Sequence, residues 1–197
     1  MPLGAFKAAL MGTAGVSAGA DVVLLSTQTA SNSATISFTS DITSTYPMYI
    51  FRFYNVHPVS HANFTFNGSI DSGSNYNVTK TTTVISAYHA EDGSAANVYY
   101  VTTDLAQSTA FHPVAGAVYT DNDASMVGEL HLFNPSSTTY VKNFTTNTQR
   151  MDWSDDKLYT NEYLTSGYLN TTSAIDAVQF KMASGNFDGK IKMWGVK

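Results

Sequence analysis

Met48-Tyr49-Ile50-Phe51-Arg52-Phe53-Tyr54-Asn55-Val56 is the stretch that decides the fold. Residues at both parities are largely apolar or aromatic. A strand with two such faces belongs inside a sheet, with neighbours on either side and a layer packed against it. On either side of this stretch the chain reads as strand, turn, strand. Upstream, Ala34 to Thr39 alternates, with Ile36 and Phe38 in one phase and Thr35, Ser37 and Thr39 in the other. Downstream, Ala62 to Ile70 carries Phe64 and Phe66 in phase, and Asp71-Ser72-Gly73-Ser74-Asn75 is a dense turn signal.

The same rhythm predicts strands at Val22 to Thr29, Lys80 to Ala90, Val98 to Thr103, Val114 to Tyr119, Met126 to Phe133 and Thr139 to Thr146. Further strands are predicted at Tyr163 to Leu169, Ile175 to Met182 and Lys190 to Val196. Ala30-Ser31-Asn32-Ser33 reads as a turn, and the polar segment from Asp152 to Asn161 as a protruding loop. About ten to twelve short strands with turns at intervals of roughly 8–12 residues indicate a sandwich or barrel. The expectation is all-β: a jelly-roll-like antiparallel β-sandwich over residues 22–197, preceded by a short N-terminal arm, residues 1–21.

Composition agrees and narrows the chemistry. Thr, Ser and Asn supply 60 of the 197 residues, while Asp, Glu, Lys and Arg together are 13%. An ordinary domain is about one-quarter charged. Net charge is −5 and the only arginines are Arg52 and Arg150. Phosphate recognition depends on clustered cations, so nucleic acid is not an expected partner. There is no cysteine, which removes disulfides and thiolate chemistry. No run approaches the ~18 apolar residues of a membrane helix, so no membrane insertion is expected.

The N-terminus superficially imitates a secretory signal, with Lys7, an apolar run from Ala8 to Val16, and Ala18-Gly19-Ala20. Gly12, Thr13 and Gly15 break that run. Leu3, Phe6 and Leu10 instead fall at helical spacing behind Pro2. They are the residues expected to dock a short helical arm on the body or on a neighbouring subunit; a mobile tail is the alternative.

Several segments resemble a family of small virion proteins of tailed, especially marine, bacteriophages. They are Leu24 to Ser40, Tyr49 to Pro58, Asp71 to Asn77, Ala87 to Ser94, Asp104 to Thr109, Leu132 to Lys142 and the closing Gly189 to Val196. The similarity spans nearly all of residues 22–197. It implies a non-enzymatic structural protein located in the virion and assembled in the host cytoplasm. It implies contacts with other virion proteins and, by analogy with phage surface proteins, a homotrimer. No catalytic motif comes with it.

Site chemistry was sought residue by residue. His57 and His61 are four apart, but on a strand that spacing is about 13 Å, too wide for one zinc. The loops Asp71–Asn77 and Asp121–Asp123 offer oxygen, yet neither supplies the six to eight ligands of calcium, and Asx turns account for both. Asp152, Asp155 and Asp156 form the densest acidic cluster, expected as a solvated loop. Glu91, Glu129 and Glu162 are the only glutamates. No pair of acids stands at readable spacing for glycoside hydrolysis, and neither a G-x-S-x-G elbow nor a phosphate loop occurs. No catalytic residue, metal or cofactor is therefore expected.

Trp153, Tyr159, Tyr163 and Tyr168 cluster around the acidic segment. Aromatics of this kind stack on sugars or anchor interfaces, and these four are the expected contacts to a host-surface glycan. The functional expectation is a tail-associated or fibre protein for host attachment. Two alternatives stand beside it: a capsid decoration protein that stabilises the head, and a carbohydrate-binding module.

Overall fold

The computed structural model describes residues 21–197, so the docking residues Leu3, Phe6 and Leu10 lie outside the described part of the chain. Twelve strands occupy it: β1 (Val22–Ser33), β2 (Ile36–Phe38), β3 (Met48–Pro58), β4 (Ala62–Ser69), β5 (Lys80–Ala90), β6 (Ala96–Tyr100), β7 (His112–Val118), β8 (Met126–Phe133), β9 (Lys142–Ser154), β10 (Lys157–Leu169), β11 (Ala177–Met182) and β12 (Phe187–Val196). Every strand pairing is antiparallel. The larger sheet has eight strands in the order β1-β12-β3-β8-β9-β10-β5-β6, and the smaller has four in the order β2-β11-β4-β7. The two layers form the expected β-sandwich.

β3 lies between β12 and β8, as its doubly apolar sequence requires. Its inward residues Tyr49, Phe51 and Phe53 meet Phe64 and Phe66 from β4 and Phe180 from β11. Phe180 is the hub: its ring lies 5.2–6.3 Å from those of Phe38, Phe51, Phe53, Phe64 and Phe66. Each fully buried ring contributes on the order of 2 kcal/mol from desolvation, and edge-to-face contacts add to that.

The core changes character across the larger sheet. Beneath β12, β3 and β8 it is apolar. Beneath β9, β10 and β5 the inward residues Phe144, Val84, Tyr163 and Leu169 are interleaved with Thr146, Thr148, Arg150, Asn161, Thr165, Thr82 and Ser86, all buried. Buried polar groups are normally hydrogen-bonded; the Thr146 hydroxyl is an exception, with no partner among the described residues. β7 supplies partners: Thr148 donates to the Val114 carbonyl at 2.6 Å and Arg150 to the Ala117 carbonyl at 2.5 Å. Two lysine ammoniums are buried with backbone carbonyls as acceptors, Lys80 on Ala110 at 2.7 Å and Lys142 on Tyr140 and Thr171 at 2.9 and 3.0 Å.

Three expectations need correction. β1 runs straight through the predicted turn at Ala30–Ser33, taking up a register shift there. The predicted strand Val98–Thr103 is shorter and earlier, at Ala96–Tyr100. The supposed loop at Asp152–Asn161 is instead the tip of the longest hairpin. Its two strands have 13 residues each and are joined by Asp155 and Asp156 alone. Both aspartates have positive φ, 50° and 59°, the geometry of a type I′ turn, where Asp is favoured.

Candidate functional site: a tyrosine cleft at the end of the sandwich

The smaller sheet ends at β7, but the larger one continues through β10, β5 and β6. The segment after β6 folds back to cover part of this overhang. Leu105 and Thr82 exchange backbone and side-chain bonds at 2.8–2.9 Å, and the Thr103 hydroxyl meets that of Tyr163. Toward the hairpin tips no strand among the described residues covers the inward face, and a cleft of about 200 Å³ opens there.

Its aromatic walls are Tyr88 on β5, Tyr99 on β6 and Tyr159 on β10. Strand register places them. Tyr159 pairs with Ala90 and Asn161 with Tyr88, while Tyr99 pairs with Ser86, so all share the inward parity. The Tyr88 ring is perpendicular to Tyr159 at 5.4 Å and inclined 65° to Tyr99 at 5.9 Å. Asp152, Ser154, Asp155 and Asn161 complete the lining. Asn161 accepts from the Ser86 hydroxyl at 2.7 Å, which leaves its amide nitrogen to donate elsewhere.

The charges are set by one buried cation. Arg150 holds the Asp152 carboxylate at 2.6 Å, and His61 approaches the same carboxylate at 3.4 Å. Asp155 has no hydrogen-bond or ion-pair partner for its carboxylate among the described residues and is exposed. Lys157, on the same parity as Tyr159, is held by the other hairpin, at the Ser94 hydroxyl (2.5 Å) and Asp92 (3.8 Å). Together with the Glu91 amide donating to the Leu158 carbonyl at 3.0 Å, this ties the two hairpin tips together.

The four aromatic residues singled out in the sequence separate. Tyr159 lines the cleft. Trp153 pairs with Leu158 on the opposite parity and stacks on Tyr119 at 5.8 Å and 16°, with His61 edge-on to Tyr119 at 6.4 Å. Tyr163 is 3% exposed and burial raises its phenol pKa, so it belongs to the core and is not a surface contact. Tyr168 stands on the outward face, where Gln107 donates to its hydroxyl at 3.3 Å. Tyr88, Tyr99 and Asn161 are the cleft residues that the sequence reading leaves out, although the alternating phase of the two strands around the Glu91–Ser94 turn already puts Tyr88 and Tyr99 on one face.

Other candidates resolve into structural roles. Glu129 accepts from Arg52 at 3.1 Å and lies 2.8 Å from His131. Asp71 accepts from Ser69 and Asn75 within its own turn, which lowers its pKa. Among the described residues no group of three His, Asp or Glu side chains is arranged to hold a metal ion, and no helix is long and apolar enough to cross a membrane.

A shallow cleft with aromatic walls, one donor amide and carboxylates at its rim is suited to recognising a small polar ligand with an apolar face. Compared with protein-family models, with curated proteins and with solved structures, the chain matches none.

Proposed function

We propose that this is a non-enzymatic bacteriophage virion structural protein, tail-associated or part of a fibre, that contacts a host-surface glycan through the tyrosine cleft. The cleft carries this reading. Its three rings are mounted on paired strands, and fixed rings lose little entropy when a sugar face stacks on them. The neighbouring amide and carboxylates suit sugar hydroxyls. The sequence resemblance supports the rest of the reading: a virion location, with other virion proteins and further copies of the chain, as a trimer, for partners.

Without its two inserted hairpins, β5–β6 and β9–β10, the sandwich reduces to β1-β12-β3-β8 over β2-β11-β4-β7. We read that frame as a jelly roll, an architecture used by both capsid and lectin domains. This is fold analogy, and the site, not the frame, carries the function.

Pull-down of purified host-surface polysaccharide by the wild type, lost in Tyr88→Ala and Tyr159→Ala, is the expected result. No binding by folded wild-type protein, or equal binding by both variants, ends the reading.

A second reading, capsid decoration, is favoured by a different surface. Leu164, Ile85 and Tyr100 form one outward row across β10, β5 and β6, with Val98 beside it, all 42–68% exposed. Among the described residues β6 is also the edge of its sheet, and it carries neither charge nor proline. Such a patch suits a protein packed among neighbours. Particle images separate the readings: density confined to the tail supports attachment, and density spread over the shell supports decoration.

A further inference from the structure

The tyrosine cleft has two properties that neutral sugars do not need. Its rings are set at steep angles to one another, 90° for Tyr88 with Tyr159 and 65° for Tyr88 with Tyr99. Stacking on a flat sugar needs one ring, or parallel rings. Inclined rings form the walls of a box and turn several negative π-faces toward one centre. The second property is charge. Asp152 is balanced by Arg150, but Asp155 at the rim is not balanced by any described side chain, and Lys157 is paired with Asp92. Among the described residues the cleft therefore keeps one carboxylate without a cation.

Size narrows the ligand further. The cleft measures about 200 Å³. That exceeds the roughly 30 Å³ of a water molecule and falls below the roughly 300–1,000 Å³ of pockets for drug-sized ligands. It suits one compact group, not a whole oligosaccharide.

We infer that Tyr88, Tyr99 and Tyr159, with Asp155 at the rim, form an aromatic cage for a methylated ammonium group, such as the choline head of a decorated surface polymer. This rests on the reading of the same cleft as the host-contact site and names the chemistry it selects. A quaternary trimethylammonium has no N–H to donate, so it gains from π-faces and a nearby carboxylate where a primary ammonium would require acceptors at each proton.

The test is titration of the folded wild type with choline chloride and, separately, with its uncharged isostere 3,3-dimethylbutan-1-ol, read by NMR shifts of the tyrosine rings. Choline is expected to saturate, with shifts confined to Tyr88, Tyr99 and Tyr159, and the isostere to bind at least about tenfold more weakly. Tyr88→Phe keeps choline binding within about threefold and Tyr88→Leu loses about tenfold, because the ring and not the hydroxyl is required. Asp155→Asn weakens choline and leaves the isostere unchanged. Equal binding of choline and isostere, no saturation by choline, or wild-type behaviour of Tyr88→Leu overturns the inference.

The host-polysaccharide pull-down separates the two readings. Polysaccharide binding that needs Tyr159 but is not displaced by choline overturns the cage and leaves glycan attachment standing. Choline saturation without polysaccharide binding supports the cage and ends the attachment reading. Failure of both ends both.

Discussion

Asp152 and Tyr159 face one another across the β9–β10 ladder, and they meet the solvent differently. The Asp152 carboxylate is occupied by Arg150 at 2.6 Å and approached by His61 at 3.4 Å. Tyr159 leans its ring on Tyr88 and leaves the rest to the cleft. The pair thus presents an aromatic face backed by a neutralised acid.

Tyr159→Ala is expected to weaken polysaccharide binding at least tenfold, about 1.4 kcal/mol, whereas Trp153→Ala changes it less than threefold. Trp153 projects to the other face and is engaged with Tyr119. Isothermal titration on both variants, with circular dichroism to confirm folding, checks the ranking. Equal losses would move the binding surface to the Trp153 side.

Gly116 and Arg150 form a second coupled pair. A Cβ on Gly116 would sit 2.5 Å from an Arg150 guanidinium nitrogen. Gly116→Ala is therefore expected to displace the guanidinium from the Ala117 carbonyl and Asp152, costing about 3 kcal/mol as a buried charge loses its partners. In an Arg150→Met background the same alanine costs much less. Urea denaturation of the double-mutant cycle measures the difference.

Stability should rise with pH in two separate windows. Burial, aided by the charge of nearby Lys80, lowers the His112 pKa from 6.5 to about 3. Between those values the unfolded chain holds more protons, so stability is lost as pH falls from 6.5 toward 3. Burial lowers the Lys80 pKa from 10.5 to about 7. By the same sign, stability increases from pH 7 toward 10.5 as the folded lysine gives up its proton. Above pH 10 the trend reverses, because buried Tyr163 keeps its proton when the unfolded chain has lost it. The urea midpoint followed against pH is expected to show both rises. His112→Gln abolishes the lower rise and Lys80→Met the upper one.

The outward patch gives a fourth expectation. The wild type is expected to sediment as an oligomer at micromolar concentration, and Ile85→Lys with Val98→Lys as a monomer of unchanged thermal stability. Both side chains are exposed, 47% and 68%, so the substitutions spare the core. A monomeric wild type would remove this patch as a self-association surface.

Legibility in the sequence followed hydrophobic contrast. Met48–Val56 was readable because rings occupy both faces, and Ile36 and Phe38 because threonine and serine separate them. Of the β9–β10 hairpin only the base was readable, in the predicted strands Thr139 to Thr146 and Tyr163 to Leu169; the rest was not. Its inward residues are Thr146, Thr148 and Arg150 and its outward ones Thr145, Asn147 and Gln149, so period-2 alternation carries no apolar signal. The Asp155-Asp156 turn then looked like part of a loop. The cleft was half legible. Tyr159 drew attention beside the acids, but its partner Tyr88 comes from a distant strand, and only register brings them together.

β5–β6 enters the chain between β4 and β7, and β9–β10 between β8 and β11, yet both hairpins join the larger sheet on the far side of β8. The rings around Phe180 all come from the eight-strand frame, and the hairpins add to that core only near their bases, where Phe144 packs on Phe66 at 4.8 Å and Leu169 is buried. Recognition and architecture are thereby written in different stretches of the chain. Changes at the tips that carry Tyr88, Tyr99 and Tyr159 would therefore leave the frame's own ring cluster untouched, as a tool head can be exchanged on one handle.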